Sequence, residues 1–221
     1  MEKMTKSTNI DSVNIQSKNQ KSLDGSSIIL IKKFLNYFWE FVDILSYKSD
    51  KAAKLYEKSI GEEYKHEYET YGISKDKKVL HIGCGAYPLS EIALANLFGV
   101  EVVGIDKNPK AVKLANEVIS KKKLDTKVKI EHGDGTNYSV EKYDVIIVSS
   151  CSIPKVKILD NIFKKAKKQS TIVIREINIA TDAILESIDY HKDVVFVKKV
   201  RHHPGSFLSP IAWNAIYLTK K

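Results

Sequence analysis

The sequence predicts an α/β fold: a doubly wound, mainly parallel sheet behind a small N-terminal helical cap. Three observations predict it. From Lys77 onward, short apolar runs alternate with amphipathic stretches. The runs are apolar almost throughout, as in Val102-Val103-Gly104-Ile105 and Val145-Ile146-Ile147-Val148. Such runs suit parallel strands buried on both faces. The segment Val79–Ser90 joins one run to a helix through Gly83 and Gly85. Alternation of this kind gives a sheet wound by right-handed crossovers.

The 221 residues have room for one full-sized domain and a small appendage. Residues 1–25 are mostly Ser, Asn, Lys and Gln and cannot bury enough surface to offset ordering, so a disordered tail is expected. Ser26 or Ser27 is placed to cap a helix beginning at Ile28. Ile31, Phe34, Leu35, Phe38, Phe41, Val42 and Leu45 recur at three- and four-residue spacing, the signature of one long amphipathic helix. A second helical run covers Lys51 to Lys58, and the tyrosine-rich stretch from Glu62 to Tyr71 reads as further helix ending at Gly72. Residues 26–76 then form the cap. Most of Phe34, Tyr37, Phe38, Trp39 and Phe41 are expected in its core.

Strands are expected near 78–82, 101–106, 127–131, 143–149 and 171–176, with helices near 89–98, 108–121, 154–168 and 180–188. The runs Val194–Val200 and Ile211–Thr219, joined by a Pro/Gly loop, read as an antiparallel hairpin at the sheet edge. Residues 77–221 thus make a Rossmann-like domain with a seven-stranded sheet.

The formal net charge is +9, almost all from lysine; Arg175 and Arg201 are the only arginines. Nucleic-acid binders usually concentrate positive charge in a stripe that includes arginine. Scattered lysine fits a solvated surface better, so nucleic acid is the runner-up substrate class. No window approaches the roughly 20 apolar residues of a membrane span. The N-terminus has no apolar signal segment and two cysteines make no disulfide framework, so the cytoplasm is the expected compartment.

Chemistry concentrates at the strand ends. Gly83-Cys84-Gly85 lets a ligand approach the backbone closely at a strand-to-helix junction, and Pro88 suits the first turn of the next helix. Asp106 ends the second strand, 21 residues beyond Gly85. A carboxylate there can accept both hydroxyls of a ribose, or cap the next helix, or both. Gly133-Asp134-Gly135 follows the third strand; it is either a turn or an adenine-contacting loop. Val148-Ser149-Ser150-Cys151-Ser152 ends the fourth strand with small residues facing the ligand crevice. Nothing nearby in sequence activates Cys151 or Cys84, so both read as packing residues. Arg175 either holds a carboxylate of a ligand or makes an ion pair with Glu176 or another acid. His202 and His203 are adjacent and no metal set accompanies them; one could be a base facing the substrate, against a solvated loop as the default. His81, within the first strand, reads as a core residue with a polar partner.

The glycine turn, the acid after the second strand and the acid after the third, in that order, resemble class I S-adenosylmethionine-dependent methyltransferases. The resemblance covers Lys77 to Arg175. It implies S-adenosylmethionine as cofactor, with Gly83 and Gly85 against the methionine part, Asp106 against the ribose and Asp134 near the adenine. The cofactor-binding set expected on this basis is His81, Gly83, Cys84, Gly85, Pro88, Leu89, Asp106, Lys107, Gly133, Asp134, Gly135, Ser149 and Ser150. A narrower similarity joins Gly83–Ser90 to the G-x-G-x-x-P-L-[ST] stretch of archaeal nicotianamine synthases, and Ser152-Ile153-Pro154-Lys155 fits that likeness. That family transfers the cofactor's 3-amino-3-carboxypropyl group to an amine, beneath an N-terminal helical domain. The expected activity is therefore a transferase, with methyl transfer to a small-molecule acceptor first, aminocarboxypropyl transfer second and RNA methylation third. Catalytic candidates are Tyr37, Glu40, Tyr68 and His203, with Tyr64 as a further roof residue. No metal and no membrane partner are expected, and a homodimer is compatible with the chain.

Overall fold

The computed structural model describes residues 24–70, 72–188, 191–202 and 212–221. Two helices come first, α1 (Ser26–Lys48) and α2 (Asp50–Thr70). The α/β body follows as β1 (Lys78–Ile82), α3 (Leu89–Phe98), β2 (Glu101–Asp106), α4 (Pro109–Lys121), β3 (Val128–His132) and β4 (Val145–Val148). It ends with α5 (Lys155–Lys165), β5 (Thr171–Ile177), α6 (Asn178–Ile188), β6 (Val194–His202) and β7 (Trp213–Lys220). The second cap helix is continuous through Ser59-Ile60-Gly61, where the sequence suggested two runs.

The sheet has seven strands in the order β3-β2-β1-β4-β5-β7-β6. β1 to β5 are parallel; β7 runs antiparallel between β5 and β6. The strand order reverses at β1, which pairs with β2 on one side and β4 on the other. A crevice opens at the carboxyl ends of strands at such a point. Both faces of the central strands are buried. Leu80, Ile82 and Ile146 pack with Ile158 and Ile162 of α5. Val79, Val102 and Ile147 pack on the other face with Leu94 of α3 and Tyr68 of α2. This two-sided burial accounts for the unbroken apolar runs.

The cap departs from expectation. On α1 the buried residues are Lys32, Leu35, Val42, Asp43 and Ser46. Phe34, Tyr37 and Phe41 point outward, each at least 65% exposed. The apolar periodicity of α1 therefore mixes an outer stripe with a partly polar inner one. Gly25, not Ser26 or Ser27, occupies the N-cap position, without a side-chain bond. Asp24 lies in the stretch expected to be tail, yet it accepts hydrogen bonds from the amides of Lys155 and Val156 at the start of α5.

The cap is held on the sheet by buried charge. Lys32 of α1 donates to Glu176 of β5 at 2.7 Å, with both side chains fully buried. Glu67 of α2 receives Arg175 through Nε and Nη2, at 2.8–3.1 Å. Arg175 also donates to Ser90 and Tyr68 and lies 3.9 Å from the Tyr64 ring centre. Of the two sequence readings for Arg175, the ion pair is the one formed, with Glu67 rather than Glu176. His202 is buried against Glu63 of α2 at 3.0 Å and stacked on Trp213. It belongs to the cap junction rather than to a solvated loop, and His203 lies outside the described residues. Among the described residues no helix is long and apolar enough to cross a membrane.

Removing one partner of a buried pair leaves the other charge uncompensated. Glu67→Ala should therefore destabilise the fold by about 3–5 kcal/mol, read as a lower urea midpoint. An unchanged midpoint would show that the pair does not anchor the cap.

Candidate active site

A cavity of about 440 Å³ lies at the reversal point, between the strand ends and the two cap helices. Its base is the loop after β1. The amides of Gly83 and Cys84 both donate to the Ile105 carbonyl, at 2.8 and 3.1 Å, which folds the loop over the end of β2. Gly83 and Gly85 have φ of +87° and +72°, a region L side chains avoid. A Cβ on Gly83 would lie 2.5 Å from Ser152 Oγ, and one on Gly85 would lie 2.5 Å from Asp43 Oδ2. The glycines thus serve both conformation and close approach.

Asp106 ends β2. One of its oxygens accepts from the Gly85 amide at 3.1 Å and the other from the Asn108 amide at 2.8 Å. The helix cap itself is Asn108, which accepts from the Lys110 amide. Asp106 is therefore not the cap of α4, and it borders the cavity. Asp134 accepts from the Thr136 amide, a bond that holds its carboxyl below the usual range. Gly135 sits so close to β1 that a Cβ would lie 2.6 Å from Ile82 Cγ2. Both Asp134 and Gly135 border the cavity.

Two groups stand out. His81 is a buried residue with polar partners, as the sequence suggested, and it also borders the cavity. Its Nδ1 lies 2.7 Å from Glu91 Oε1 and its Nε2 lies 2.8 Å from Ser149 Oγ. Ser149 Oγ also reaches the Gly83 carbonyl at 2.9 Å, so its proton has two acceptors in range. This is a hydroxyl–imidazole–carboxylate chain, with His81 and Ser149 on the cavity wall and Glu91 fully buried behind them. Gly104 of β2 makes room for it: a Cβ there would lie 2.5 Å from Glu91 Oε1. The second group is Asp43 of α1. It is 6% exposed, borders the cavity and accepts from the Ala86 amide at 2.9 Å. Burial pushes its carboxyl up to about 8, and Asp106 and Glu91 nearby add to the shift. The signal in the sequence is a carboxylate in helical phase with Leu35, Val42 and Ser46, hidden because the outer apolar stripe dominates the pattern.

Of the cofactor set expected from sequence, His81, Gly83, Cys84, Gly85 and Leu89 line the cavity from β1 and the loop after it. Asp106 and Lys107 line it from the end of β2, Gly133, Asp134 and Gly135 from the end of β3, and Ser149 and Ser150 from the end of β4. Pro88 does not; it is buried at the N-cap of α3. Lys107 Nζ is engaged by the Ile153 carbonyl at 2.9 Å. Among the catalytic candidates Glu40 lines the cavity, as does Tyr64. Tyr37 is on the outer stripe at 73% exposure, too far round α1 to reach it. Tyr68 is buried against Arg175 and Phe98, outside the cavity wall. Burial raises the Cys84 and Cys151 thiols, which disfavours the thiolate and agrees with packing roles. Among the described residues no group of three or more His, Cys, Asp or Glu is arranged to hold a metal ion.

Known proteins share this architecture. Residues 73–206 match the family described as methyltransferase domain. The ribosomal protein L11 methyltransferase of Alkaliphilus oremlandii (strain OhILAs) is 31% identical over 121 residues, which is 55% of this chain and 36% of that protein. The matched region thus spans about a third of that relative's length. A point mutant of MtNAS, crystallised in complex with S-adenosylmethionine, has a TM-score of 0.69 at 18% identity, covering 93% of this chain and 89% of its own. A putative sarcosine dimethylglycine methyltransferase from Galdieria sulphuraria has a TM-score of 0.56 at 16% identity, covering 72% of this chain and 84% of its own. Identities this low establish the shared fold; the family match establishes descent. The chain belongs to the methyltransferase domain family, a class I methyltransferase fold with S-adenosylmethionine as its cofactor.

Proposed function

We propose that the protein transfers a carbon group from S-adenosylmethionine to a small-molecule nucleophile held beneath the helical cap. The cavity carries this reading. It has about 440 Å³, runs from the glycine loop to the underside of α1 and α2, and is roofed by Trp39, Glu40 and Tyr64. That volume falls in the range of small-ligand sites.

The residues fit the cofactor. Asp106 offers carboxylate oxygens to the ribose hydroxyls, and Asp134 with the Gly135 amide suits an adenine edge. Glycine at 83 and 85 lets Ser152 and Asp43, both on the cavity wall, approach the loop where a Cβ would meet them. When bound, S-adenosylmethionine supplies a sulfonium carbon open to in-line attack. The chain's own work is then positioning, exclusion of water and removal of the acceptor's proton. Ser149 stands at the end of β4 with His81 and Glu91 behind it, so a proton taken at the Ser149 hydroxyl has a route into the imidazole. Glu40, on the roof, is a second acceptor for that proton.

The methyl group is the first reading of what moves, since it is the usual cargo on this fold; the fold alone does not decide. A specific observation favours the aminocarboxypropyl group as a second reading. The MtNAS match covers 93% of this chain, cap included, whereas the Galdieria match covers 72%. MtNAS was also crystallised with MTA and tNA. RNA is a third acceptor class, motivated by the +9 charge. The acids around the cavity, Glu40, Asp43, Asp106 and Asp134, oppose a phosphate backbone there.

Incubation with S-adenosylmethionine and a fractionated small-molecule extract should yield a single nucleoside by-product. S-adenosylhomocysteine identifies methyl transfer and methylthioadenosine identifies aminocarboxypropyl transfer; the absence of both sinks the proposal. RNA as acceptor predicts binding that weakens steeply between about 50 and 200 mM salt. Asp106→Ala should weaken cofactor binding at least about tenfold by calorimetry, since a charge-assisted bond contributes ~1.5–3 kcal/mol. Ser149→Ala should lower kcat about 100-fold with cofactor affinity within about twofold; equal losses in both would reduce Ser149 to a structural role.

A further inference from the structure

We propose that Asp43, hung from α1 over the glycine loop, is the counter-ion of the cofactor's positive charge, and that cofactor binding is thereby linked to loss of its proton. This rests on the cofactor reading above and adds a residue and a linkage to it.

Asp134 and Asp106 stand at the ends of β3 and β2, so a nucleoside held by both lies on that side of the reversal point. Its 5′ substituent must then extend towards β1 and β4, across Gly83–Gly85. Asp43 closes that path from above. Its Oδ2 sits where a Gly85 side chain would be, 2.5 Å from the ideal Cβ position. The carboxylate is fixed by the Ala86 amide at 2.9 Å.

Among the described residues no cation answers it. From its own helix Glu40 shares the cavity wall, and from α2 Tyr56 and Tyr64 face it. From the loop after β1 come Cys84 and Tyr87, from α3 Glu91 and from β2 Asp106. Each of these is neutral or acidic. Of the cations on the cavity wall, Lys107 is bound to the Ile153 carbonyl, Arg175 is held by Glu67, and Lys110 is exposed at the start of α4 and makes no ion pair with Asp43. A buried carboxylate in acidic company keeps its proton near neutral pH, in line with its raised value of about 8. A sulfonium or an ammonium placed against it supplies the missing charge, and the proton leaves.

Calorimetry with S-adenosylmethionine at pH 7, in two buffers of different ionisation heat, tests this directly. The expected result is release of most of one proton per site, falling away as pH rises past about 8. S-adenosylhomocysteine keeps the ammonium and lacks the sulfonium; methylthioadenosine lacks both. Release with S-adenosylhomocysteine assigns the ammonium as partner, and release with S-adenosylmethionine alone assigns the sulfonium. Release of equal size with methylthioadenosine overturns the proposal. Asp43→Asn mimics the protonated carboxyl, so the variant should fold. It should bind S-adenosylmethionine at least about tenfold more weakly and without the proton release. Tight binding with no proton release in the unaltered protein overturns Asp43 alone; no binding of S-adenosylmethionine overturns the cofactor reading with it.

A readout without ligand accompanies this. The folded carboxyl titrates at about 8, well above an aspartate in the unfolded chain, so the native state holds the extra proton between the two values. Stability from this group is then fullest at low pH and is lost as pH rises towards 8. The melting temperature of Asp43→Asn should fall less over that window than that of the unaltered protein.

Discussion

The structure depends on how the cap is fastened to the sheet. Apolar residues of the cap pack on α3, as Tyr56 and Ile60 do with Leu89 and Ile92, but charged groups taken out of water set the cap's position. Lys32 reaches Glu176, and Glu67 grips Arg175 in a bidentate pair. Both attachments meet at one place, because Arg175 and Glu176 are consecutive on β5 and alternation along the strand sends their side chains to different helices. Buried pairs of this kind add little net stability compared with apolar packing, but misplacing one member is costly. They therefore fix position more than they add strength. A cavity whose roof is α1 and α2 needs fixed position above all.

The protein is basic, at +9 overall, while Asp43, Asp106 and Asp134 border the cavity and Glu91 lies fully buried behind its wall. Glu91 is matched by His81 and Asp134 by a turn amide. Asp106 is matched by two backbone amides, and among the described residues Asp43 is the acid over the glycine loop that no cation pairs.

Much of this was legible in the sequence, and the misses share a cause. Parallel strands buried on both faces write themselves as unbroken apolar runs, so the strands of the body could be placed within a residue or two. Gly83, Gly85, Asp106 and Asp134 could be singled out because each follows or ends a strand, and the structure brings all four to the cavity wall. The cap was harder. Seven apolar residues on α1 give one amphipathic pattern, yet the body takes the stripe carrying Lys32, Asp43 and Ser46, and the partners of Lys32 and Asp43 exist only in tertiary structure. Tyr37 is an aromatic close to Glu40 in sequence, yet it faces outward. His81 could be placed as core with a polar partner, but not the partners themselves, since Glu91 and Ser149 lie on α3 and at the end of β4.

Asp24 gives the chain a mechanical anchor. Its carboxylate ties the backbone just ahead of α1 to the first two amides of α5. Lys155, the first residue of α5, in turn holds the Ser149 carbonyl and lies 3.6 Å from Glu176. The segment ahead of α1, the start of α5 and the ends of β4 and β5 are thus joined through one aspartate and one buried lysine, beside the Glu176 that also receives Lys32 of α1.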